Sequence, residues 1–349
     1  VVAGGSKGES AVRKAAWVLF LVFYLFVLYP GTALAKGEGV IRGRVANRTA
    51  GGGSAEGREV ILRVFQGPSE NEPLATRTDA QGQFQFEGLE TGSDWAYLVR
   101  VEYEGVLYSS GVLAFQAGQD ELVTEIEVYE TTTDGSDIRV ERAHLLIALS
   151  HVGLQVTELY VFDNPTDRTY VGVEEIGGRW WTSRFALPQG SFDLTLDDGS
   201  LGGRFLSTES GFVDTEPQWP GGTQVLFSYA LDCPSGTCDL TRELAHPIAD
   251  LNVLIVDRGA TVDSEQLVLQ GKMDAEGRSY LNYTASDLLP GRYLDLRVRL
   301  AGATPPATAP ARDRALALPW IVLGTVLTGL VLVYPFWRRR IEAAARKGG

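Results

Sequence analysis

The chain is poor in the residues that most often carry chemistry. Its 349 residues include only two cysteines, three histidines and one methionine. Two cysteines exclude a disulfide-rich scaffold and a four-cysteine zinc site. The three imidazoles are His144, His151 and His246. His144 and His151 are seven apart in a strand-like stretch, and an odd separation sends them to opposite faces, so no shared metal is expected. The His-Glu-x-x-His pair, the Gly-x-Ser-x-Gly elbow, the phosphate-binding loop and the dinucleotide fingerprint are all missing. Positive charge is also short: 31 Lys and Arg face 44 Asp and Glu, a net charge of −13. That balance argues against nucleic acid as a partner. Only 5 of the 31 cations are lysine, a bias that points to GC-rich coding and a bacterial source. On these grounds no catalytic, cofactor-binding or metal-binding residue is assigned, and the chain is read as non-enzymatic.

What is present is glycine (40 residues) and a hydrophobic share of 44%. Both suit a folded, turn-rich β protein better than a helical bundle or a disordered chain. The length allows two or three domains.

The two ends predict a topology. The chain starts with Val1, and residues 1–11 are set aside as an upstream extension or a start-site artefact. Arg13 and Lys14 precede the apolar run Ala15–Tyr29, which Pro30 and Gly31 interrupt before Ala33-Leu34-Ala35. A charged start, a short apolar core and small residues at Ala33 and Ala35 form a secretory leader, with cleavage expected after Ala35. The alternative, an uncleaved anchor, has to cross a hydrocarbon core of ~30 Å with a helix of about 22 Å. A second run, Leu316–Trp337, is uncharged and long enough to span, at about 33 Å as a helix. Trp320, Tyr334 and Trp337 sit where interfacial anchors belong, and Arg338, Arg339 and Arg340 close the run. The positive-inside tendency places that tail in the cytoplasm. A buried core helix is the alternative that the closing arginines oppose. Between the ends, residues 36–312 carry 22 Lys and Arg against 41 Asp and Glu, a net −19. Such an exported part stays soluble and is repelled by anionic lipid.

The exported part is expected to be all-β: tandem antiparallel β-sandwich domains, Ig-like or transthyretin-like, held by the one C-terminal transmembrane helix. The expected divisions are 1–35 (extension and leader), 36–130 (first sandwich), 131–137 (polar linker), 138–245 (second sandwich), 246–300, 301–314 (Pro/Ala-rich stalk), 315–337 (membrane helix) and 338–349 (basic tail). Residues 246–300 read either as a third small β unit or as the completion of the second. In the first unit Val60–Phe65 is a β-branched run, Phe84 and Phe86 alternate with polar residues, and Thr78-Asp79-Ala80-Gln81-Gly82 has turn chemistry.

Gly43-Arg44-Val45, Val60-x-Leu62 and Thr78-Asp79-Ala80-x-Gly82-x-Phe84-x-Phe86-x-Gly88-Leu89, with Gly92 and Tyr97, resemble the carboxypeptidase regulatory-like domain, a transthyretin-like sandwich. The resemblance covers residues ~39–130. It implies an accessory module without active-site residues. Met273-Asp274-Ala275-Glu276-Gly277 followed by Gly291, Tyr293 and Arg297 echoes the same pattern at different spacings, which a repeat and shared turn chemistry explain equally well.

Cys233 and Cys238 bracket Pro234-Ser235-Gly236-Thr237 and are expected to form a local disulfide that staples a hairpin tip. Acidic turns at 134–137, 163–167, 197–198 and 274–276 match no calcium loop and read as solvated turns. Trp180, Trp181 and Trp219 are the candidate binding surface, for a glycan or a partner protein, with core packing as the alternative. Asn47-Arg48-Thr49 and Asn282-Tyr283-Thr284 are sequons. The expected partners are the bilayer, through the C-terminal helix, and another envelope protein or a glycan. The expected role is a membrane-anchored envelope or surface protein whose ectodomain is an interaction or scaffold module. The alternatives are an accessory subunit of a membrane enzyme or transport complex and a hydrolase with an unrecognised site in residues 138–300.

Overall fold

The computed structural model describes residues 38–150, 153–197, 200–275 and 277–300. The expected leader, its cleavage site at Ala33 and Ala35, the stalk, the membrane helix with Trp320, Tyr334 and Trp337, and the tail with Arg338, Arg339 and Arg340 lie outside those residues. Within them the chain is all-β, and no helix is long and apolar enough to cross a membrane. The chain divides between Glu130 and Thr131 into two compact units.

The first unit has eight strands: β1 (Gly39–Asn47), β2 (Glu59–Gln66), β3 (Ser69–Glu70), β4 (Leu74–Arg77), β5 (Gln83–Leu89), β6 (Trp95–Tyr103), β7 (Val106–Ser109) and β8 (Glu121–Val128). One sheet runs β5-β1-β8; in the other β2 lies between β6 and the short β3 and β4, and β7 extends β6. Alternation decides which side chains go inward. Ile41, Val45, Phe84, Phe86, Ile126 and Val128 from one sheet are buried, as are Val60, Leu62, Tyr97, Val99, Val101 and Tyr103 from the other. The turn before β5 is built by its residue types. Asp79 Oδ1 accepts the backbone N–H groups of Gln81 and Gln83, at 2.9 and 2.8 Å. Gly82 has a φ of 75°, and a Cβ there would lie 2.5 Å from the carbonyl oxygen of Val45. Gly43 serves a different end: the Phe84 ring lies on its bare Cα, and a Cβ would come within 2.0 Å of that ring.

The second unit opens with β9 (Thr131–Thr132), the long β10 (Arg139–Leu149) and β11 (Gly153–Asn164), then β12 (Thr169–Tyr170), β13 (Glu174–Ile176), β14 (Arg179–Trp181), β15 (Ser183–Ala186) and β16 (Ser191–Leu196). It continues with β17 (Phe205–Thr208), β18 (Gly211–Asp214), β19 (Gly221–Asp232), β20 (Thr237–Asp239), β21 (Arg242–Glu243) and β22 (Ile248–Val256). It closes with β23 (Thr261–Asp263), β24 (Val268–Ala275), β25 (Arg278–Leu288), β26 (Tyr293–Leu294) and β27 (Arg297–Arg299). Its backbone is a seven-stranded sheet, β16-β19-β11-β10-β22-β25-β24. Residues 246–300 therefore complete this sheet; they do not stand apart. The stretch expected as a polar linker begins as a strand of this unit, since Thr131 and Thr132 pair with Thr169 and Tyr170.

Not every pair is antiparallel, as had been expected. β1 and β8 run parallel, from Val40 opposite Glu121 to Asn47 opposite Val128, and β10 and β22 are parallel as well. A parallel neighbour needs a long crossover, and in each case most of a unit lies between the two strands.

Tyr160, Phe162, Phe227 and Tyr229 of the large sheet meet Phe185, Phe205 and Phe212 of the small sheet β15-β18-β17. Phe227 is the hub: its ring centroid is 4.9 Å from Phe212, 5.5 Å from Phe185 and 6.0 Å from Tyr160. The first two pairs are edge-to-face and the third is stacked, and ring pairs at such distances add to the burial itself. Leu240, Leu294, Leu296 and Val298 of the remaining short strands and their connections join the same core. Phe227→Ala is expected to lower the unfolding free energy by about 3–5 kcal/mol. Val268→Ala, at an exposed edge position, should change it by no more than ~0.5 kcal/mol. Urea denaturation of the two variants measures both.

Candidate functional site

The three tryptophans named from the sequence take different positions. β13 and β14 form a hairpin through Gly177 and Gly178, which presents Trp180 to solvent at 52% exposure. Trp181 is half-buried, and its indole N–H is covered without a partner. Trp219 lies on the connection from β18 to β19 and makes no ring contact with the other two. It lines a cleft of about 260 Å³ with Arg204, Asp214, Glu216, Gln218 and Thr223.

The polar wall of the cleft is tightly organised. Arg204 donates through Nε and Nη2 to the two carboxylate oxygens of Asp214, at 2.9 and 2.6 Å, and through Nη1 to Glu216 at 2.7 Å. Its guanidinium also stacks 4.8 Å from the centre of the Phe205 ring. Asp214 further accepts the backbone N–H of Glu216 at 2.9 Å. Gln218 is held at its backbone, where its N–H and carbonyl pair with Tyr170 and its carbonyl also accepts from Asn164 Nδ2 at 2.9 Å. The side-chain amide nitrogen of Gln218 donates to Ser183 Oγ at 2.5 Å. Its amide oxygen and the Trp219 indole N–H have no partner.

A second polar group sits inside the core. Glu158 is 1% exposed and points between the layers with Leu154, Val156, Tyr160 and Phe162. Arg242 Nη2 donates to its Oε2 at 2.7 Å, Tyr160 donates to the same oxygen at 2.8 Å, and Tyr229 donates to Oε1 at 2.7 Å. Arg242 also donates to the Leu240 carbonyl at 3.2 Å. Burial works against the Arg242 charge, yet Glu158, Tyr160 and Tyr229 hold its pKa above the ordinary range. Burial, reinforced by the Glu158 charge, raises both tyrosines. The adjoining cavity, lined by Tyr160, Arg242 and His246, is about 20 Å³, room for a single water. This cluster joins layers; it has no space for a substrate. One signal for it was present in the sequence: an acid at the inward parity of an otherwise apolar strand.

Burial lowers the pKa of His246 and, with help from Arg142, of His144, each to about 4. His246 Nε2 accepts the backbone N–H of Arg184 at 3.3 Å. Cys233 and Cys238 lie at disulfide distance, with Cα atoms 5.0 Å apart. They do not tip a hairpin as expected. Cys233 follows β19 of the large sheet, whereas Cys238 belongs to β20, which pairs with β27, and both are buried in the main core. Three of the four acidic turns have a carboxylate that is used internally: Asp134 accepts the N–H of Ser136, Asp163 pairs with Arg139 at 2.7 Å, and Asp274 accepts from Ser279, while Asp198 and Glu276 lie outside the described residues. Among the described residues no group of three or more His, Cys, Asp or Glu could hold a metal ion. Neither sequon lies on a free loop. Asn47 donates to Gly53 and Tyr103, and Asn282 lies in β25, between two strands, accepting from Asn252.

No protein-family model matches the chain, and no curated protein matches it.

Glu158→Gln leaves a buried guanidinium without its counter-charge, and is expected to cost about 3–5 kcal/mol of stability. The Glu158→Leu/Arg242→Met double variant should recover most of that loss; urea denaturation compares the two. His246 gives a pH dependence of defined sign. An unfolded histidine takes up a proton near pH 6.5, whereas folded His246 refuses it until about pH 4. Stability is therefore complete above pH 6.5 and falls as the pH drops toward 4, by up to about 3 kcal/mol. His246→Gln keeps an acceptor for Arg184, and should flatten the slope of unfolding free energy against pH in that window.

Proposed function

We propose that this chain is a non-enzymatic, single-pass membrane protein of a bacterial envelope, displaying two β-sandwich units outside the membrane as an interaction module. The observation that carries the proposal is the placement of two apolar runs around an all-β middle. Ala15–Tyr29, followed by Ala33 and Ala35, precedes that middle; Leu316–Trp337, closed by Arg338, Arg339 and Arg340, follows it. A leader and a stop-transfer helix in that order export what lies between them. The cysteine pair at disulfide distance fits an oxidising compartment. The net −19 of residues 36–312 fits a part held off anionic lipid. We assign the first unit to the carboxypeptidase regulatory-like type, an accessory module. The Asp79–Gly82 turn and the Phe84–Phe86 alternation support that assignment.

Protease added to intact spheroplasts tests the topology. The expected result is loss of everything N-terminal to the stalk at 301–314, with an arginine-capped stub spared. Survival of the β units with digestion of the stub inverts the proposal and overturns it.

A further inference from the structure

We propose that the bond between Cys233 and Cys238 is a redox-sensitive latch on β27, the strand from which the chain leaves the second unit. This goes beyond the interaction-module reading above, and rests on it only for the membrane that lies past that exit.

The backbone alone ties β27 weakly. It is three residues long, and its neighbours β20 and β23 are equally short. The three form a sheet of their own, apart from the seven-stranded one. Buried side chains join the two layers, among them Cys233, Cys238, Leu296 and Val298. The exit itself runs through the cysteine loop. The Leu300 N–H donates to the Gly236 carbonyl at 2.8 Å, and the Gly236 N–H donates to the Cys233 carbonyl at 2.9 Å. Cys238 stands opposite Val298, and Thr237 opposite Arg299, in an antiparallel pair. The C-terminal end of β27 and the N-terminal end of β20 therefore coincide. A pull on the chain past Leu300 acts first on the pairs beside the bond.

The bond decides where that pull goes. Cys233 directly follows β19, which pairs with β11 along its whole length. With the bond closed, the two cysteine Cα atoms are held 5.0 Å apart, and β20 is anchored to the large sheet. With it open, the same five residue steps can stretch to about 17 Å. β20 and β27 can then lift from the core as a pair. A dithiol reductant opens the bond in two exchanges. Cys233 is 7% exposed and Cys238 1%, so the incoming thiolate attacks the Cys233 sulfur and Cys238 departs. The second thiol of the reductant then displaces Cys233. Two electrons and two protons pass to the cysteines, and the reductant ends as an internal disulfide.

The test is amide hydrogen exchange on the full chain in phosphatidylcholine nanodiscs. Three forms are compared: the parent, the parent after dithiothreitol, and Cys233→Ser/Cys238→Ser. Alkylation of the denatured parent counts its free thiols, with none expected before dithiothreitol and two after. Opening the bond should speed exchange in segments 237–240 and 296–300 about tenfold or more, and leave segment 154–162 of the large sheet unchanged. The reduced parent keeps both sulfurs in the core, whereas the serine variant removes them. Agreement between the two separates the bond from its packing. Should the serine variant fail to fold, the reduced parent carries the test. The proposal is overturned if the parent holds two free thiols, or if dithiothreitol leaves the bond uncut in the folded chain. It is equally overturned if exchange at 237–240 and 296–300 does not change, or if 154–162 speeds up alike. None of these results alters the protease outcome on spheroplasts, so the latch and the membrane topology fail separately.

Discussion

A carboxylate buried between two layers of sheet constrains the second unit more than any other single group. Glu158 has no water to return to, so its lone pairs must be met within the protein. Arg242, Tyr160 and Tyr229 meet them, and each comes from a different place: β21, the same strand as Glu158, and the adjacent β19. Sliding any of these elements by one residue turns its side chain to the other face and breaks the set. The ion pair adds little net stability over an apolar substitute of the same shape, since desolvation offsets most of the attraction. It instead penalises alternatives. The aromatic layer around Phe227 supplies the burial; the polar set fixes where those rings sit.

The fold was legible in the sequence where local chemistry was strong. The alternation around Phe84 and Phe86 appears as β5, and the Asp79–Gly82 turn forms through the hydrogen bonds its residue types provide. The β-branched run Val60–Phe65 appears within β2. Long-range pairing was not legible. Nothing near Arg139 or Ile248 says that β10 and β22 lie side by side, because a parallel ladder leaves no turn between its strands to recognise. The same blindness left residues 246–300 undecided and made Thr131–Asp137 look like a linker.

For the candidate site, residue type carried part of the way. Tryptophans were singled out because large amphipathic rings serve binding, but sequence could not rank three of them. The three differ in what surrounds each ring. Trp219 shares a cleft with Arg204, Asp214 and Glu216, residues drawn together by the β17-β18 hairpin and the connection that follows it. The cysteines show the converse error. Their spacing suggested a local loop, and the loop is local, but its two ends belong to different sheets.

The parallel pairing of β10 with β22 also dictates an order of assembly. β11 reaches one edge of β10 as soon as the chain turns back on itself, whereas the other edge has no partner until Ile248–Val256 has been made. More than ninety residues separate those two events, and closing so long a loop is entropically slow. Through that interval a nascent second unit holds an open, apolar strand edge, the kind of surface that recruits other chains. Truncation anywhere before Ile248 makes that interval permanent, so the C-terminal third of the unit acts as the seal on its central strand.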